Sequence, residues 1–134
     1  MNRFWKIYIH IIFGTKNRRH FLKGDIEKQV HCSLREAARA WDIIPVATNS
    51  AWNHCHTLLS WNPELSVDEV AAELKNRTAL AVGMDPQELW QKGYAAFSVN
   101  PGRVEHLKGY ISRQKDLHRN EDTIPQYESW LSLY

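Results

Sequence analysis

Only two cysteines, Cys32 and Cys55, occur in 134 residues. That is too few for a disulfide framework, so a reduced, cytoplasmic setting is the expectation. No apolar run approaches the roughly 18 residues of a membrane-spanning helix, and no membrane partner is expected. The most apolar stretch, Phe4 to Phe13, is broken by Lys6 and His10. It lacks the small-residue cleavage site of a signal peptide and reads as a buried strand. Neither sign of charge dominates: 17 Lys+Arg against 15 Asp+Glu leave +2, which excludes a polybasic chain but leaves room for a local basic stripe. Proline and glycine number only five and six, and no linker, repeat or low-complexity tract is visible. What is plentiful is aromatic: six Trp, five Tyr and four Phe, beside seven His. With 43% apolar and 24% charged residues, the composition is that of a globular fold, not a disordered chain. The length holds one core, a single domain over 1–134.

Lys6 to Gly14, rich in Ile, Tyr and Phe, predicts a strand in a covered sheet. A basic turn follows, Lys16-Asn-Arg-Arg-His20. Asp25 stands where an N-cap belongs, and Ile26, Val30, Leu34, Ala37 and Trp41 form one helical stripe. Ile43–Ala47 and His54–Trp61 read as short strands joined by a polar turn at Thr48–Ser50. Ser66-Val-Asp-Glu69 predicts a capping box opening a second helix, with Val67, Val70, Leu74 and Thr78 inward and Gly83 near its end. Tyr94–Val99 is a further strand. Asn100-Pro101 supplies a cap and a proline for a third helix reaching about Arg119. The order β-α-β-β-α-β-α predicts an α+β domain, an antiparallel sheet with helices packed mainly on one face.

Chemistry concentrates in Asn53-His54-Cys55-His56. Alternate residues of a strand share a side, so His54 and His56 point together while Cys55 points the other way. Two neutral imidazoles so placed can share a divalent metal, and they can equally be packed histidines. On the third helix, Tyr110, Gln114 and His118 recur at i, i+4, i+8 on one face. They offer a nucleophile and ligands, or else a packed tyrosine with solvated neighbours. Val104, Leu107 and Ile111 form the flank that docks this helix on the sheet. His10 reads as a core histidine or one standing behind a ligand. His20, His31 and His106 carry no assigned role.

Taken in order, these segments resemble the single-tyrosine HUH transposases of small bacterial insertion sequences and the related REP-associated tyrosine transposases. Tyr8-Ile-His-Ile-Ile-Phe13 with Lys16-Asn-Arg-Arg19 is similar to the family's opening strand and basic turn. Asn53-His54-Cys55-His56-Thr-Leu-Leu59 resembles its HUH motif, with Cys55 at the usual aliphatic position. Leu74-Lys75-Asn76-Arg77, Trp90-Gln-Lys-Gly-Tyr94-Ala-Ala-Phe97-Ser98-Val99 and Tyr110-Ile-Ser-Arg-Gln114 resemble its later motifs. Leu117 replaces the first histidine of the family's closing pair, leaving His118.

The resemblance implies a ferredoxin-like domain, acting as a homodimer, that cuts and rejoins single-stranded DNA at hairpin-flanked ends. It implies a 5′-phosphotyrosine intermediate on Tyr110 and a divalent metal, Mg²⁺ or Mn²⁺, held by His54, His56 and Gln114. His118 is a candidate further ligand or acid/base, and no nucleotide cofactor is expected. Lys16, Arg18, Arg19, Lys75, Arg77, Lys92, Arg103 and Arg113 are candidate DNA contacts, with Lys23 and Phe21 beside the basic turn. Trp52, Trp61 and Trp90 are candidate contributors to a dimer surface. Two other readings stay open: a non-catalytic hairpin-binding module derived from such a transposase, and a metal-dependent hydrolase using water as nucleophile.

Overall fold

A computed structural model describes residues 3–115. Four strands, β1 (Tyr8–Gly14), β2 (Ile44–Ser50), β3 (His54–Ser60) and β4 (Ala95–Val99), form one sheet. Their order is β2-β3-β1-β4 and every neighbouring pair is antiparallel. The helices are α1 (Gly24–Ala40), α2 (Val67–Ala81), the short α3 (Pro86–Leu89) and α4 (Val104–Ser112). The architecture is the expected α+β one, with a ferredoxin-like sheet.

Strand alternation divides the interior. Ile11 and Phe13 of β1 and Cys55 and Leu59 of β3 face α1 and α2, meeting Val30, Leu34, Val70 and Leu74 in the main core. Each fully buried side chain of this size stabilises the fold by about 1.5–3 kcal/mol. Residues one step along the same strands face the opposite way, where α4 covers Leu58 with Val104, Leu107, Tyr110 and Ile111. The two long helices therefore share one face, and the third expected helix docks through its predicted apolar flank on the other.

Several local expectations change. Lys23, not Asp25, occupies the N-cap of α1, and Asp25 lies in its first turn, where a carboxylate still suits the helix dipole. Thr48–Ser50 is not a turn but the end of β2, paired with Thr57, His56 and Cys55; the chain reverses over 51–53. These polar residues extend because partners on both faces use them: Asn49 donates to the Ile111 carbonyl (3.0 Å) and Ser50 Oγ donates to Glu27 (2.7 Å). Pro45 sits in β2 beside a register shift, on an edge strand where the missing N–H is tolerated. Asn100 accepts from Gly102 N–H as a cap should, but Pro101–Arg103 forms a 3₁₀ turn before α4 begins. The short α3 lies outside the expected order of elements, although Asp85-Pro86 carries its start signal. Trp61 and Trp90 are core residues, 4% and 2% exposed, so neither is available to a dimer surface.

Candidate active site

His10 on β1 and His54 and His56 on β3 all point to the α4 face, and all are buried. Burying polar rings is costly unless they are hydrogen-bonded, and their contacts give each an orientation. His10 Nε2 lies 2.8 Å from His56 Nδ1, with the two rings stacked at 5.0 Å. His54 Nδ1 lies 2.8 Å from Asn53 Oδ1. A carboxamide oxygen only accepts, so the His54 proton sits on Nδ1 and the ring's lone pair on Nε2. The His54 and His56 centroids are 5.1 Å apart.

Tyr110 reaches this cluster from above. Its ring stands perpendicular to that of His56, centroid to centroid 5.7 Å, within one chain. Gln114, one turn on, is fully buried; its Nε2 donates to the Tyr110 carbonyl (3.4 Å), while its Oε1 has no hydrogen-bond partner among the described residues. An unsatisfied buried acceptor one helical turn from Tyr110 is oxygen-donor chemistry that suits a small cation. Among the described residues no three His, Cys, Asp or Glu side chains are grouped to hold a metal. The end of α4 is tied down twice. Asn49 Nδ2 donates to the carbonyls of Ile111 (3.0 Å) and Ser112 (3.2 Å). Lys115 bonds the Glu27 carboxylate and the Ser50 carbonyl and lies over the Trp52 ring.

A family model described as "Transposase IS200 like" matches residues 3–114, a span that contains every residue of this cluster. The chain belongs to the IS200-like transposase family. The ISDra2 transposase TnpA of Deinococcus radiodurans is 23% identical over 121 residues, covering 84% of this chain and 86% of that protein. A crystallised candidate transposase of Deinococcus radiodurans R1 superposes with a TM-score of 0.68 at 22% identity, covering 86% of this chain and 95% of that one. A REP-associated tyrosine transposase bound to a REP hairpin gives 0.67 at 15% identity, covering 92% and 75%. Both structures share the fold of this chain.

The remaining expected residues of this IS200-like transposase fall into distinct settings. His118 lies outside the described residues. Lys16, Arg19, Lys92 and Arg103 are exposed and Arg18 is half-buried. Arg77 is paired with Glu73 at 2.6 Å, and Arg113 donates to the Gly109 carbonyl. Lys75 is partly internal: its ammonium bonds the carbonyls of Gln91 and Gly93 and lies over the Phe13 ring, and burial pulls its pKa down to about 8. Cys55 is packed, its thiol pushed up to about 12 by burial, and Cys32 is exposed. Sequence reasoning missed Asn49, Glu27 and Lys115, and left Asn53 and Gln91 inside the family-like motifs without a role of their own. Of these, Asn53 had a legible signal, an amide immediately before His54.

Proposed function

We propose that this transposase cuts and rejoins single-stranded DNA at hairpin-flanked ends, with the Tyr110 oxygen as nucleophile. The observation that carries the reading is the Tyr110 ring 5.7 Å from His56, on the buried face that also holds His54 and Gln114. Attack forms a bond from the phenol oxygen to phosphorus while the bond from phosphorus to the 3′ oxygen breaks. The phenol proton is lost and the departing 3′ oxygen gains one, leaving a 3′-hydroxyl and a 5′-phosphotyrosine. The phosphodiester energy stays in the new ester, so reversal rejoins strands without a nucleotide cofactor. His54, His56 and the Gln114 Oε1 would hold a divalent ion, Mg²⁺ or Mn²⁺, which supplies positive charge to the phosphate oxygens. His56 Nδ1 faces His10 and His54 Nδ1 faces Asn53, so the Nε2 atoms of the two rings are the ones that would hold such an ion. Two chains acting as a homodimer complete the proposal, which rests for that part on the family resemblance.

The test is to incubate the protein with hairpin-bearing single-stranded DNA and Mn²⁺ and to resolve it on a denaturing gel. A DNA–protein adduct that Tyr110→Phe abolishes is expected. Hairpin binding without adduct would identify a non-catalytic module, and cleavage that survives Tyr110→Phe would identify a hydrolase.

A further inference from the structure

Four rings stand in a row across the second face of the sheet. Phe97 of β4 meets His10 of β1 at 6.1 Å, His10 stacks on His56 of β3 at 5.0 Å, and His56 meets Tyr110 of α4 at 5.7 Å. Tyr110 is the proposed nucleophile and His56 a proposed metal ligand, whereas His10 has no step in that reaction. Strand register explains how it enters the row. His10 pairs with Phe97 on one side and with Leu58 on the other. His56, two residues before Leu58, is therefore its diagonal neighbour, within reach of a long side chain.

A histidine at this position needs a physical account. His10 is fully buried, and its cross-strand partners Leu58 and Phe97 are apolar. An imidazole costs free energy there that a phenyl or aliphatic group would not. What it offers in return is a ring nitrogen, and Nε2 lies 2.8 Å from His56 Nδ1. One of those two nitrogens carries the shared proton. Were His10 the donor, neutral His56 would carry its own proton on Nε2, and that nitrogen could hold no cation. With His56 as donor, its lone pair lies on Nε2. That matches His54, whose Nδ1 proton goes to Asn53 Oδ1 at 2.8 Å. Asn53 can only accept, but His10 can do either, so the direction of this one bond separates a one-imidazole site from a two-imidazole site.

We infer that His10 is a positioning residue of the HUH pair: its Nε2 accepts from His56 Nδ1–H and so keeps the His56 lone pair on Nε2. The inference rests on the proposed reading of His54 and His56 as metal ligands, while the direction of the bond is measurable without metal or DNA.

The first measurement takes the full wild-type chain, free of metal and DNA, at mildly alkaline pH where neutral imidazole prevails. The ¹⁵N shifts of His56 are expected to place its proton on Nδ1, as those of His54 do. The second titrates Mn²⁺ alone, without DNA, into wild type and two variants. His10→Phe keeps a ring against Phe97 but removes the acceptor. It should weaken Mn²⁺ binding about 10–100-fold and let the His56 proton move to Nε2, with His54 unchanged. His10→Gln, whose Oε1 comes near the place of the imidazole Nε2 and only accepts, should retain the His56 tautomer and most of the affinity. A purely packing role predicts the opposite order, with Phe tolerated better than Gln.

A wild-type His56 proton on Nε2 overturns the role, as does His10→Phe that binds Mn²⁺ like wild type or His10→Gln that loses as much as Phe. If His10→Phe does not fold, the wild-type tautomer and the Gln variant still decide. Absence of Mn²⁺ binding by wild type overturns the metal reading and this role with it. Tyr110→Phe leaves both readouts unchanged, so failure of the adduct assay and failure of this role are read separately.

Discussion

At the scale of single residues, the unusual feature is how much of the histidine cluster is oriented by groups other than itself. Asn53 Oδ1 sets the His54 tautomer, and His10 stands 2.8 Å behind His56. Partners of this kind typically change metal affinity by about 10–100-fold when removed. Asn53→Ala should therefore raise the Mn²⁺ concentration for half-maximal adduct formation by about that factor while leaving hairpin affinity unchanged, which a metal titration on a fixed DNA would show. Lys75 makes a second residue-scale case. Burial lowers its pKa to about 8, so its ammonium is present below that pH and is lost as pH rises through it. Its bonds to the Gln91 and Gly93 carbonyls should therefore loosen from pH 7 to pH 9, read as faster amide exchange in residues 91–93, and Lys75→Met should flatten that dependence.

At the scale of elements, the proposed reaction turns on α4, because Tyr110 is 1% exposed and, as the proposed nucleophile, would need the helix to give way before a phosphodiester met its oxygen. Two ties resist that movement: the Asn49 side chain on the last carbonyls of α4, and Lys115 on Glu27 and Ser50. A hydrogen bond contributes about 1 kcal/mol net, so Asn49→Ala should speed amide exchange across Leu107–Ser112 about fivefold without changing exchange in β1. Burial pushes the Glu27 carboxyl up, but its bonds from Lys115 and Ser50 outweigh this and leave it below the ordinary range. A lowered carboxylate stabilises above its unfolded pKa and ceases to as pH falls through the lowered one, so this tie should fail in acid. Such ties explain what the sequence could and could not disclose. The periodic stripe of Val30, Leu34 and Ala37 and the alternation of His54 and His56 arise within one element, and both were legible. The strand at Thr48–Ser50 was not, because those residues are polar for the sake of Glu27 and Ile111, distant in sequence. Gln91 falls within the Trp90–Val99 segment that resembles the family, but nothing local marks its side-chain amide, which is pressed against Gly14.

At the scale of the whole molecule, the sheet separates two tasks. One face is occupied by α1 and α2 and holds the apolar core; the other carries the histidines, Tyr110 and Gln114 under a single helix. On the proposed reading the chemistry would sit on this second face, where one helix can move without unpacking the main core. This arrangement also bears on how two copies would share the work. Within one chain the Tyr110 and His56 rings are 5.7 Å apart, close enough that a nucleophile and its histidines need not come from different subunits. Mixing Tyr110→Phe protein with His56→Ala protein, under conditions that let subunits exchange, distinguishes the possibilities. If each tyrosine serves the histidines of its own chain, every site in the mixed dimer has lost a component and no DNA adduct should appear on the gel. If the tyrosine crosses to its partner, one of the two sites regains both components and adduct should return to a substantial fraction of the wild-type yield. The ring contact in this structure predicts the first result, with an unmixed wild-type sample at equal concentration setting the scale.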